Sequence, residues 1–148
     1  MAYNAVSSYK NTSVTTASPS QLLVILYDEA VRQLDIAIDL LDEYNKNGKK
    51  DPSKIEPTSK AVIKTQNIVT ELIVSLDFDN GGEIAQNLFN LYTWFNSELT
   101  DANIKHDQQK ITVVRNLISE LRGTWSEISI KMAAEEKSRY VPSVDISY

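Results

Sequence analysis

Histidines, cysteines and paired carboxylates are where chemistry would be expected, and this chain offers few of them. His106 is the single histidine, and cysteine is absent. A histidine pair, a thiolate metal site and a Cys nucleophile are therefore excluded together. A di-iron carboxylate bundle needs Glu-x-x-His on two helices, and no such set is present. Asp42-Glu43 and Glu135-Glu136 are paired carboxylates, but acid-base work needs a desolvated carboxyl, and both pairs read as solvated helix ends. His106 could carry a phosphoryl group, yet its neighbours Asp107-Gln108-Gln109 make it read as a solvent-facing turn residue. Walker, Gly-rich dinucleotide, GxSxG and HExxH patterns are absent. The expectation is a protein that is not an enzyme and uses no cofactor and no metal.

The polar side chains that do fall within patterned stretches are amides: Gln66, Asn67, Asn87, Asn96 and Asn103. Side-chain amides can pair with the backbone of an extended peptide. They can equally cap turns or bond carbonyls inside the protein, and Asn103, just before a helix end, also suits a C-terminal cap.

The elements that must position these residues follow from length and punctuation. The 148 residues are 42% apolar and 24% charged, which fits one compact domain over 1–148 with a real core. Only 4 Gly and 4 Pro interrupt the chain, which favours long helices over many short strands. With 15 Lys+Arg against 20 Asp+Glu the net charge is -5, so nucleic acid is a poor partner. The start Met1-Ala2-Tyr3-Asn4-Ala5-Val6 shows no signal-peptide pattern. The densest apolar run is Leu22 to Leu26, far short of the ~20 residues that span a bilayer. No membrane insertion and a cytoplasmic location are expected.

Residues 1–17 lack a helical period and read as a mobile leader, extended or briefly helical. Ser18-Pro19-Ser20-Gln21 combines a cap, a first-position proline and a glutamine three residues on. Helices are expected over about 19–44, 53–76, 83–104 and 107–135, with 136–148 a loose tail around Pro142. The breaks fall at Asn45-Lys46-Asn47-Gly48 and Asp77-Phe78-Asp79-Asn80-Gly81-Gly82. The fold class is all-α, an elongated, mostly antiparallel four-helix bundle.

Helical faces carry the remaining information. On the fourth helix Val114, Leu117, Ile118, Leu121, Trp125, Ile128 and Met132 share an arc of roughly 100°, as one core-facing stripe should. On the third, Ile84, Leu88, Leu91, Phe95 and Leu99 form the expected stripe. Ala85, Phe89, Tyr92 and Trp94 widen it to roughly 220°, about twice what a single core face needs. Ile63 and Val74 project away from the second helix's stripe, and Tyr27, Val31 and Ile38 broaden the first. Surplus apolar surface has two readings. Long helices in a bundle bury broad arcs, or a contiguous patch receives an amphipathic or extended partner segment.

Several segments together resemble the flagellin-specific export chaperone family, FliS. They are Tyr9 and Val14-Thr15-Thr16-Ala17-Ser18-Pro19 with Leu22, Leu26-Tyr27-Asp28; Lys64-Thr65-Gln66-Asn67-Ile68 and Glu71-Leu72; Leu88, Leu91-Tyr92, Leu99, Ala102-Asn103-Ile104-Lys105 and Asp107; and Leu121-Arg122 with Trp125. The likeness spans about 9–128, in order. Glu29 stands where a small residue is common, and the loop from Lys49 to Pro57 is longer. The resemblance implies a cytoplasmic four-helix bundle that binds the C-terminal segment of new flagellin, keeps it unpolymerised and helps deliver it to the type III export gate. It also implies that the protein's own leader competes for the same surface. Contact candidates are Ile63, Gln66, Asn67, Val74, Phe89, Tyr92, Trp94 and Asn103, with Tyr9 and Val14 in the leader. The alternative is a non-enzymatic helical adaptor whose surplus apolar face forms a homodimer; the oligomeric state is left open by the sequence.

Overall fold

The computed structural model describes the backbone over 19–146, and side chains over 19–135 and at Lys137. Tyr9 and Val14 lie outside the described residues. Four long helices follow in order: α1 Pro19–Tyr44, α2 Ile55–Val74, α3 Phe78–Lys105 and α4 Gln108–Ile146. Short 3-10 turns at Lys46–Gly48 and Pro52–Lys54 join α1 to α2. No strand occurs among the described residues.

Local chemistry explains the boundaries. Asp51 accepts hydrogen bonds from the Ser53 N–H at 3.0 Å and the Ser53 hydroxyl at 2.7 Å, opening the turn that leads into α2. Asp77 caps α3, its carboxylate accepting from the Asn80 N–H at 3.1 Å, and these bonds hold its pKa below the usual carboxylate range. One turn later Gly82 takes φ 50, ψ -122, a conformation side chains other than glycine's strongly resist. The first turn of α3 is thereby kinked away from the regular helix. At the other end His106 stands at φ 56, ψ 41 and closes α3 on the Ala102 carbonyl. It packs edge-on against Tyr44 with ring centroids 5.1 Å apart, so it is half-buried rather than simply solvent-facing.

α1 and α4 run antiparallel in a fixed register. Arg122 Nε meets Asp28 at 2.6 Å, Arg115 Nε meets Asp35 at 2.8 Å, and the Gln108 amide donates to Asp42 at 2.5 Å. The three contacts recur every seven residues on each helix, the period of left-handed antiparallel packing. The ion pairs are substantially exposed, so each contributes less than ~1 kcal/mol and specifies alignment more than stability. Between the helices, Leu26, Ala30, Leu34, Ala37 and Leu41 of α1 pack with Val62, Ile68, Val69 and Leu72 of α2. Tyr92, Phe95 and Leu99 of α3 and Ile111, Val114 and Ile118 of α4 complete the core. Each large side chain so buried contributes roughly 1.5–3 kcal/mol. Thr65, fully buried, returns its hydroxyl to the Ala61 carbonyl at 3.0 Å and leaves no polar atom stranded.

Several expectations are corrected. Tyr27, read as broadening the α1 stripe, is wholly buried, whereas Ile84, Ile128 and Met132, read as core, are 70%, 36% and 54% exposed. Counting back from Asp28 to Pro19, and forward from Arg122 by the same number of residues, reaches Lys131. Past that point α4 has outrun α1, so Met132 loses its cover. The chain from 136, expected as a loose tail, stays helical through Ile146. Ala133-Ala134-Glu135-Glu136-Lys137 is a run of strong helix formers with no stop signal.

Glycine substitutions separate the kink from ordinary helix. A Cβ built at Gly82 or at Gly123 meets nothing within 4 Å, so any effect is conformational. Gly82→Ala should destabilise by about 1–2 kcal/mol, while Gly123→Ala, inside α4, should stabilise by about 0.5–1 kcal/mol; urea denaturation measures both.

Candidate functional site

At the end of the bundle where α1 starts, α2 stops and α3 begins, the four helices diverge around a groove of about 760 Å³. Leu23 of α1, Leu72 of α2 and Leu76 just beyond it form one side, Ile84, Ala85 and Leu88 of α3 another, and Trp125 and Met132 of α4 the third. Tyr92 forms part of the floor. The polar rim is Ser75, Asp77 and Asn80. A second hollow of about 190 Å³, lined by Pro19, Leu22, Leu23, Leu26, Glu71 and Ser75, adjoins it through Leu23 and Ser75. The chain thus enters α1 beside the groove.

The groove exists because the helices end at different heights. α1 starts level with about Lys131 of α4, while α4 continues for another ~22 Å at 1.5 Å per residue. Ile84 and Met132 keep an apolar face with nothing opposite it. The kink at Gly82 turns the first turn of α3 aside, and Phe78 of that turn stands edge-on to Phe89, ring centroids 6.0 Å apart.

Beneath the apolar walls lies one polar feature. The Trp125 Nε1–H donates to the Tyr27 hydroxyl at 3.1 Å, and the Tyr27 and Tyr92 hydroxyls are hydrogen-bonded to each other. Burial is the main cause pushing the pKa of both phenols up, so both remain O–H groups across the physiological range. This triad ties α1, α3 and α4 together directly under the groove.

The expected contact residues do not form a single site. Ile63 and Val74 are exposed on α2 and Trp94 on α3, where Trp94 leans on Phe95 at 5.9 Å. Phe89 is 36% exposed. Gln66 and Asn103 are engaged within the α2–α3 seam: the Gln66 amide donates to the Asn96 carbonyl at 3.1 Å and the Thr100 hydroxyl at 2.8 Å. Asn103 Nδ2 donates to the Ser59 hydroxyl at 3.1 Å. Asn67 is half-buried on α2. Tyr92, at 2% exposure, is core and reachable only as groove floor. Leu23, Leu76, Ile84, Leu88, Trp125 and Met132 were not named as contacts from the sequence, where Ile84, Leu88, Trp125 and Met132 were read as core. The available signal was an apolar stripe on α4 longer than the helices beside it.

Such a site can bury apolar side chains but supplies no nucleophile or acid-base pair. Among the described residues no cluster suited to a metal is present, and no helix is long and apolar enough to cross a membrane. His106 lies at the far end of α3 from the groove.

The family model described as "Flagellar protein FliS" matches residues 2–132. The "Flagellar secretion chaperone FliS" of Salmonella typhimurium is 36% identical over 125 residues, covering 84% of this chain and 86% of that protein. That of Campylobacter jejuni is 31% identical, covering 86% and 91%, and that of Bacillus subtilis 25% identical, covering 93% and 92%.

Burial separates two of the aromatic candidates. Tyr92→Ala should cost about 3–5 kcal/mol of stability, whereas Phe89→Ala should cost less than ~1.5 kcal/mol because much of its ring is already in water. Thermal melts followed by circular dichroism test the contrast; equal losses would mean that Phe89 belongs to the core as much as Tyr92 does.

Proposed function

The chain belongs to the FliS family of flagellar secretion chaperones, and from that premise we propose that it holds the C-terminal segment of flagellin in the groove at the bundle end. The family is one of chaperones, not of enzymes, and its work is accordingly binding. A flagellin terminal segment is disordered before assembly and amphipathic once helical. Left uncovered it exposes apolar surface to its own kind. Covering that surface keeps the client unpolymerised in the cytoplasm until it is handed to the type III export gate.

The observation that carries this reading is the open apolar groove itself. It has the volume and apolar lining of a binding site, and Ile84 and Met132 leave it uncovered. An amphipathic segment laid along α4 would continue the stripe of Trp125, Ile128 and Met132 in the manner of a helix in a groove. Ile63, Val74, Phe89 and Trp94 are proposed as outlying contacts for the rest of the segment, with Asn67, Gln66 and Asn103 along the α2–α3 seam. Residues 1–17, with Tyr9 and Val14, are proposed to compete with the client, since the chain enters α1 at Pro19 beside the groove.

Calorimetric titration with a peptide of about 40 residues from the C-terminus of flagellin of the same organism should give saturable one-to-one binding with a negative heat-capacity change. No heat at two temperatures from folded protein would reject the reading. Ile84→Asp, at an exposed position, should lower affinity at least about tenfold without altering the melting temperature by more than a few degrees. Deleting residues 1–17 should tighten binding; unchanged or weaker affinity would remove the leader's competing role.

A further inference from the structure

Inside its polar rim the groove is apolar except at its floor, at and beneath which three aromatic groups supply more protons than they use. Trp125 Nε1–H, Tyr27 O–H and Tyr92 O–H are three donors, yet they make two hydrogen bonds among themselves. The Trp125 proton goes to Tyr27. One hydroxyl proton joins Tyr27 to Tyr92. The other hydroxyl proton has no acceptor among the described residues.

Position decides which hydroxyl keeps the spare proton. Tyr27 is fully buried and does not line the groove, whereas Tyr92 does. An unsatisfied donor sealed in the core costs about 1–3 kcal/mol. That cost is avoided when Tyr27, already accepting from Trp125, donates onward to Tyr92. Hydrogen bonds running head to tail in this way also polarise one another favourably. The Tyr92 O–H is then the last donor of the chain and can turn to the groove.

Resting on the reading of the groove as the client site, we infer that the Tyr92 hydroxyl is a fixed hydrogen-bond donor that takes one free backbone carbonyl of the bound segment and thereby sets its register. A carbonyl in the middle of a helix is already bonded to its own chain. The last turn of a helix, or an extended stretch, presents carbonyls with no internal partner. An apolar wall recognises side-chain size but slides easily along a repetitive amphipathic segment. One fixed donor amid apolar surface penalises every register that leaves it without an acceptor. Trp125 and Tyr27 act through Tyr92 as positioning residues, holding its oxygen from behind.

The test uses the full-length protein and the same flagellin C-terminal peptide. Tyr92→Phe keeps the ring and removes the donor, and should weaken binding about tenfold. Tyr27→Phe leaves the Tyr92 O–H in place but removes the group that holds it, and should lower the melting temperature and weaken binding about threefold, less than Tyr92→Phe does. Equal affinity losses in the two variants, or none in Tyr92→Phe, would overturn the inference while leaving the groove as client site. Absence of binding by the unaltered protein would reject both together. A second measurement needs no variant that might fail to fold. Single ester replacements along the peptide backbone, which weaken one carbonyl acceptor at a time, should reduce affinity sharply at one position facing the floor. A flat profile would overturn the assignment.

Discussion

Asp28 and Asp35 of α1 meet Arg122 and Arg115 of α4 one heptad apart on helices running in opposite directions, and the placement of everything else depends on that alignment. The pairs are too exposed to contribute much stability. Their importance is in excluding other registers, because sliding α4 by one turn would leave a carboxylate opposite an apolar side chain. With α1 and α4 aligned, Tyr27 comes under Trp125 and the heights at which the helices end are settled. The groove is the consequence of those unequal heights.

A chaperone that performs no reaction must still solve a physical problem, which is to present apolar surface without collapsing around it. In this bundle the deep core is closed by large rings and branched aliphatics, with Tyr27, Phe95, Leu34 and Leu99 fully buried. The open apolar groove lies at one end, where α4 continues beyond the start of α1. Rigid packing below and unpaired apolar side chains above are compatible because the aromatic hydrogen bonds of Tyr27, Tyr92 and Trp125 lie between them. They bind three helices together at the level where the core stops.

The amides show how the same residue types serve different ends. Gln66, Asn96 and Asn103 bridge α2 and α3 across a partly exposed seam. Hydrogen bonds there replace apolar contacts that the small residues Ser59, Thr70 and Thr100 cannot supply. Asp101 and Lys110 do the same for the α3–α4 turn at 2.7 Å, and Lys110 is the main cause holding the Asp101 pKa below the usual carboxylate range. Polar bonds at seams leave the apolar residues free to concentrate in the core and at the groove.

Much of this was legible in the sequence. The all-α class follows from local rules: few glycines and prolines, an N-terminal cap before Pro19, a break of Asp, Asn and Gly after Leu76, and apolar residues at 3.6-residue spacing. The absence of paired histidines and of cysteine likewise argued against catalysis without any structure. What the periodicity could not say is which members of a stripe would be covered. Tyr27 and Ile84 both looked like edges or centres of a stripe according to where its midline was drawn, and the tertiary structure reversed them. Trp125, Ile128 and Met132 continue one helical face without interruption, yet the face passes from core to open groove within two turns. Periodicity is a property of one helix, whereas cover depends on where its neighbours end, and those ends are brought opposite one another only when the helices pack in register.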